Sequence, residues 1–140
     1  RLRRKLDTAA EMAPAPLLRP AKETSRVGVI YYGSTAPAMD EAIAGLDAEG
    51  VHLDLLRVRA FPFAKSVMDF VAAHDHVFVV EQNESGQLRQ LLINEGEIDP
   101  KKLIKVLHYD GTPITARFIA GRIADALSDR KIVPLRKVVS

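Results

Sequence analysis

The stretch from His76 to Leu92, His-Val-Phe-Val-Val-Glu-Gln-Asn-Glu-Ser-Gly-Gln-Leu-Arg-Gln-Leu-Leu, does most to restrict the fold. Val77 to Val80 is a continuous apolar run rich in β-branched residues, which suits a strand covered on both faces. It stops at Glu81-Gln82-Asn83-Glu84-Ser85-Gly86, a polar turn with one glycine, and Leu88, Leu91 and Leu92 then recur at helical spacing. Strand, turn and helix make half of a βαβ unit. In such units the carboxyl end of the strand is where ligands and partners are met.

The same grammar recurs along the chain. Val27 to Tyr32 reads as a strand. Gly33-Ser34-Thr35 turns into a helix with Met39, Ala42, Ile43 and Leu46 on its apolar side and Gly50 beyond its end. Val51 to Val58 predicts a second strand, and Val67, Met68, Phe70 and Val71 a second helical stripe. After the unit from His76, Leu103 to Tyr109 predicts a fourth strand. A last helix is expected from Asp110-Gly111-Thr112-Pro113, with Thr112 as cap, Pro113 at its first position, and Ile114, Phe118, Ile119 and Ile123 buried. Strands alternating with amphipathic helices predict right-handed crossovers and a parallel sheet, hence a three-layer α/β/α sandwich.

Composition bounds the function. No run of apolar residues reaches membrane-spanning length, and nothing resembles a signal peptide, so a cytoplasmic location is expected. Without cysteine the chain has no disulfide, thiolate metal site or cysteine-held iron–sulfur cluster. Residues 1–26 carry seven Lys/Arg and three Asp/Glu, residues 130–140 four and none; the segment between, with nine basic and fifteen acidic residues, has a net charge of −6. An acidic body with basic ends argues against phosphate-backbone binding, so no nucleic-acid partner is expected. The basic start Arg1-Leu2-Arg3-Arg4-Lys5-Leu6 is helix-compatible. The prolines at 14, 16 and 20 favour an extended linker after it. The expected organisation is a basic segment and Pro-rich interdomain linker over 1–25, an α/β domain over 26–129 and a basic tail over 130–140, at the C-terminal end of a longer protein.

The candidate site residues cluster at strand ends: Gly33, Ser34 and Thr35 after the first strand, Glu81, Gln82, Asn83, Gly86 and Gln87 after the third, Asp110 and Gly111 after the fourth. A helix start after Gly33 favours an anion, as where a flavodoxin holds its flavin phosphate. No dinucleotide or triphosphate loop pattern is present, and the plainer expectation is that Gly33 turns the chain while Ser34 or Thr35 caps the helix. Glu81 and Glu84 lack the converging carboxylates that a hard cation requires. Hydrogen bonding to neighbouring loops or another domain is the expected use of this turn, with Asn83 as its central group and Ser34 beside Asn83 and Gly86. His52, His74, His76 and His108 show no metal-ligand spacing, and His74-Asp75-His76 reads as a solvated turn. No serine or threonine has an arguable catalytic partner.

Taken together, Val27-Gly28-Val29-Ile30-x-Tyr32-Gly33-Ser34, Asp40-Glu41-Ala42-Ile43, Leu56-x-Val58-Arg59-x-Phe61-Pro62-Phe63, Val79-Val80-Glu81-Gln82-Asn83-x-x-Gly86-Gln87-Leu88 and Tyr109-x-Gly111-x-Pro113 resemble one family throughout. They are similar to the C-terminal domain of the α subunit of 2-oxoacid:ferredoxin oxidoreductases, especially the 2-oxoglutarate type. The resemblance implies a transketolase C-terminal-like domain, with parallel strands in the order second, first, third, fourth and often a short antiparallel edge strand. It implies a whole enzyme that decarboxylates a 2-oxoacid on thiamine diphosphate with Mg, passes electrons through iron–sulfur clusters to ferredoxin, and transfers the acyl group to coenzyme A. An upstream thiamine-binding domain and a β subunit are the implied partners. The family's thiamine-contacting residues have no counterpart here. No catalytic, cofactor-binding or metal residue is therefore assigned, no cofactor is expected in this fragment, and the fragment is expected to be inactive alone, with an assembly role. The alternative is a free-standing flavodoxin-like nucleotide- or flavin-binding module using Gly33-Ser34-Thr35.

Overall fold

A computed structural model describes Thr8 and residues 11–134. The basic segment Arg1–Leu6 and the tail from residue 135 lie outside the described residues. The strands are β1 (Leu17–Arg19), β2 (Val27–Tyr32), β3 (Asp54–Val58), β4 (His76–Glu81) and β5 (Leu103–Leu107). The helices are α1 (Ala36–Ala48), α2 (Lys65–Ala73), α3 (Gln87–Gly96) and α4 (Ala116–Asp129). Short 3-10 turns at Gly33–Thr35 and Pro100–Lys102 precede α1 and β5.

The sheet order is β1-β3-β2-β4-β5, with β3, β2, β4 and β5 parallel. The order expected for the four parallel strands is thus observed. Leu17–Arg19, within the Pro-rich stretch, adds the antiparallel edge, pairing Leu17 with Arg57 and Arg19 with Leu55. The chain reverses direction across the sheet between β2 and β4, and there the loops leaving adjacent strands part to opposite faces.

Strand alternation divides the core into two layers. Val27, Val29, Tyr31, Leu55, Phe78 and Val80 pack under α1 and α4 against Met39, Leu46, Ile119 and Ile123. Ile30, Leu56, Val77 and Val79 pack under α2 and α3 against Val67, Phe70, Leu88 and Leu92. Gly28 belongs to the second face: a Cβ there would lie 2.6 Å from the Phe70 ring, so glycine is what lets α2 sit this close to β2. The turn closing α1 is a two-bond cap, Gly50 N–H to Asp47 O and Val51 N–H to Leu46 O, with Gly50 at φ 81°. The Phe61–Pro62 peptide is cis.

Several sequence expectations need correction. The strand expected from Val51 joins the ladder only at Asp54, because the cap of α1 uses Val51. The last strand ends at Leu107, and the last helix begins at Ala116 rather than after Thr112. Asp110 takes the amide and hydroxyl of Thr112 in a local turn, leaving Thr115 to cap α4 by accepting from Phe118 N–H at 3.1 Å. Ile114 is buried ahead of the helix. His74 is not a solvated turn residue. It is 6% exposed, donates from Nδ1 to Phe70 O at 2.6 Å and meets the Asp54 carboxylate through Nε2 at 2.7 Å. Asp54 also accepts from Ala21 N–H at 2.7 Å, so the pair ties the stretch after β1 to β3 and α2.

Candidate functional site at the strand ends

Two loops meet where β2 and β4 end. The β4 loop is organised by its own acidic residue. Glu81, the last residue of β4, is fully buried. Its carboxylate accepts from Leu88 N–H at 2.6 Å and Arg89 N–H at 3.1 Å, the free donors of the first turn of α3. A carboxylate at a helix N-terminus is favoured by both those donors and the dipole. The Glu81 carboxylate thus serves as a cap for α3.

Asn83 completes the loop. Its Oδ1 accepts from Gly86 N–H at 2.7 Å and Gln87 N–H at 3.3 Å, while its Nδ2 donates to Glu81 at 3.0 Å and to the Tyr32 hydroxyl at 3.3 Å. Gly86 stands at φ 65°, a left-handed conformation that glycine adopts without strain. Across the switch point, Gln82 Nε2 donates to Ser34 Oγ and to Thr35 Oγ1, each at 3.1 Å. Gln82 is therefore the hydrogen-bonding partner of Ser34, and Asn83 reaches Tyr32 instead. Neither Ser34 nor Thr35 makes the expected side-chain cap of α1: Thr35 has helical backbone angles at the cap position, and its buried hydroxyl receives Gln82.

Gly33, Ser34, Thr35, Glu81, Gln82, Asn83, Gly86 and Gln87 are thus gathered at one end of the sheet. Asp110 and Gly111 stay apart in hydrogen bonding. Asp110 is spent on Thr112, with His108 Nε2 3.4 Å away, and Gly111 is a left-handed turn residue at φ 85°. The Thr112 hydrogen bonds hold the Asp110 carboxyl below its ordinary range. Burial, and after it the charge of Glu81, raises the Tyr32 phenol above its ordinary value, so it remains a neutral hydroxyl at physiological pH.

Beside this polar rim lies an apolar shelf that periodicity did not single out. A cleft of about 420 Å³ is lined by Tyr32, Val58, Arg59, Phe61, Phe63 and Leu91. Tyr32 (36%), Phe61 (51%) and Leu91 (39%) remain exposed, although Leu91 shares the helical spacing of the buried Leu88 and Leu92. The signal was present in Phe61-Pro62-Phe63, but position in a loop says nothing of which aromatic faces inward. Phe63 is buried, and Phe61 stands edge-on to it with ring centroids 5.3 Å apart.

Among the described residues no group of three or more His, Asp or Glu is placed to hold a metal ion. Glu81, the one buried carboxylate among them, is saturated by the loop and helix it supports. The described residues thus lack the converging carboxylates that a magnesium-bound diphosphate requires. Nor is any helix among them long and apolar enough to cross a membrane.

No family model matches the sequence, and a search of curated proteins finds no relative. Solved structures do match. One is the 2-oxoglutarate:ferredoxin oxidoreductase from Magnetococcus marinus, solved with 2-oxoglutarate, coenzyme A and succinyl-CoA bound. It is similar at 26% identity and TM-score 0.73 over 85% of this chain, which spans only 21% of that protein's chain. The alpha chain of a probable 2-oxoacid ferredoxin oxidoreductase from Thermoplasma acidophilum matches at 27% identity and TM-score 0.56, over 83% of this chain and 99% of that one. A split-gene transketolase in an inactive beta4 tetramer shares the fold alone, at 18% identity and TM-score 0.62 over 80% of this chain and 42% of that one. The resemblance read from the motifs stands: the chain is similar in sequence and fold to 2-oxoacid:ferredoxin oxidoreductase chains and has the transketolase C-terminal-like architecture.

Proposed function

We propose that this chain, similar in sequence and fold to 2-oxoacid:ferredoxin oxidoreductase, is an assembly domain of such an enzyme, of the 2-oxoglutarate type, and performs no chemistry itself. The whole enzyme would convert a 2-oxoacid to an acyl-CoA with reduction of ferredoxin. Thiamine diphosphate, Mg and the iron–sulfur clusters would be held by an upstream domain and a β subunit. The observation that carries this reading is the pairing of a self-satisfied polar rim with an open apolar shelf. The rim's groups hold one another, which keeps the loops in one shape, while Tyr32, Phe61 and Leu91 keep surface that a neighbouring domain can bury. A pre-ordered docking face positions a neighbour at small entropic cost, and catalysis is sensitive to such positioning. The 2-oxoglutarate preference is supported by the Magnetococcus marinus protein.

The test places Phe61→Asp and Leu91→Asp in the complete enzyme. 2-Oxoglutarate-dependent ferredoxin reduction and subunit association are expected to fall together, by roughly tenfold or more, about 1.4 kcal/mol. The mutated chain should unfold near the wild-type midpoint, because both side chains are exposed. Full activity and assembly in the double variant would defeat the reading. Saturable binding of a flavin to the chain, seen in the flavin's visible absorbance, would favour the flavodoxin-like alternative.

A further inference from the structure

The opposite end of the sheet carries a second surface. Where β2 and β4 begin, a cleft of about 530 Å³ is lined by Arg26, His76, Lys101, Arg130, Lys131 and Val133, with Asp75 as its carboxylate. Arg26 already occupies that carboxylate, at 2.6 Å from Nε. With Arg26 and Asp75 paired, three permanent cations, Lys101, Arg130 and Lys131, and a histidine face the cleft with no further carboxylate among its lining residues. Arg26, Arg130 and Lys131 come from the basic ends of the chain and Lys101 from the acidic body between them, so the fold gathers cations from three segments at one place.

The entry to β2 and the segment that follows α4 build the cleft together. α4 closes through Lys131 N–H to Ser128 O and Ile132 N–H to Leu127 O, with Lys131 in the left-handed region at φ 52°. A glycine would take that position at lower cost. The segment after α4 is then held by Pro134 O, which accepts from Arg26 N–H and from Ser25 Oγ. Arg130 and Lys131 lie at the carbonyl end of α4, and complementing the helix dipole accounts for those two. It does not account for Arg26 or Lys101, which come from other segments.

We propose that this cleft docks an acidic polypeptide segment of a partner chain. Cations beside an apolar lip fit an acidic peptide that carries a hydrophobic residue better than a bare phosphate. The helix end facing the cleft presents carbonyls, so the amides that usually cradle a phosphate are not supplied there. Lysines as point charges and arginines as planar forks both take carboxylates. Val133, 52% exposed, and Ile132 add an apolar lip for one hydrophobic side chain between them. The hydrogen bond from Arg26, with the nearby charges of His76 and Lys102, also holds the Asp75 carboxyl below its ordinary range, consistent with a cationic field. This surface is separate from the docking shelf and does not depend on the family reading.

The experiment is an amide-resonance titration of the chain with a hexapeptide alternating Glu and Leu, and separately with inorganic phosphate. The peptide should shift resonances of Arg26, His76, Lys101, Lys131 and Val133 in a saturable way. Raising salt from about 30 to about 300 mM should weaken it, as screening shortens the reach of these charges. Lys101→Glu with Lys131→Glu should lower affinity at least tenfold while the unfolding midpoint stays within a few degrees of wild type. Should charge reversal unfold the chain, Lys101→Gln with Lys131→Gln gives the same readout. Shifts at Arg57 and Arg59 instead, peptide affinity indifferent to these substitutions, or saturation by phosphate without a response to peptide would each overturn the proposal.

Discussion

Asn83 shows how much one amide can organise. Two acceptances by its oxygen and two donations by its nitrogen join the end of β4, the start of α3 and Tyr32 on β2. Asn83→Ala removes the partner of Gly86 N–H and leaves Glu81 with one donor fewer, and losing such partners in a partly buried setting costs about 1–3 kcal/mol. Urea denaturation of the chain should show a loss in that range. A change within roughly 0.5 kcal/mol, ordinary for a surface position, would mean that water replaces the amide without penalty. The contrast with Asp110 is instructive. Its carboxylate also bonds a neighbouring backbone, but it is exposed and confined to its own turn, and it organises nothing beyond residue 112.

At the scale of elements, helix and strand meet through small allowances. α2 approaches β2 over Gly28, where an added Cβ would sit 2.6 and 2.7 Å from two Phe70 ring atoms and 3.3 Å from the His74 ring. The Phe70 ring is confined in turn by His74, with centroids 4.3 Å apart. Gly28→Ala should therefore destabilise the chain by about 1–3 kcal/mol, the usual range for overpacking a filled core. Thermal and urea unfolding measure it. Phe70→Leu in the Gly28→Ala background should recover part of the loss, because it removes the ring that the methyl meets. Failure of that rescue would place the strain in the backbone instead. The residue pattern Val27-Gly28-Val29 thus has a physical reading: apolar residues for one layer, and a gap for a helix on the other.

At the scale of the molecule, the two ends of the parallel sheet differ in character. The carboxyl end is a polar rim beside an apolar shelf; the amino end is a cationic cleft. Arg26 and Asp75 join the starts of β2 and β4 there by backbone and side chain. The Asp75 carboxyl is held below its ordinary range, chiefly by the Arg26 hydrogen bond, with the charges of Arg26, His76 and Lys102 adding to it. A carboxyl depressed in the folded state stabilises fully above its unfolded pKa of about 3.9, and that stability is lost as pH falls through the folded value. Stability measured between about pH 5 and pH 2 should fall more steeply for the native chain than for Asp75→Asn. Carbon resonances of the Asp75 carboxyl should titrate below the ordinary aspartate range and move back up in Arg26→Gln.

What the sequence determined by itself was period and order. Apolar runs of strand length alternating with helical stripes predict a mostly parallel sheet covered on both faces, since each run has to be buried and each crossover helix lies on one face. The same residues carry the resemblance that the solved structures bear out. Only the tertiary structure decided the use of each polar group. Glu81 in a polar hexapeptide looks solvated until α3 turns back and places two unpaired amides against it. His74 looks exposed until β3 brings Asp54 beneath α2. Leu91 follows the same spacing as Leu88 and Leu92 yet stays 39% exposed, because it lines the cleft beside Phe61 while Leu88 and Leu92 pack into the layer under the sheet. Hydrogen-bond partners and exposure are set by residues far away in the chain, and local pattern carries no information about which of them will arrive.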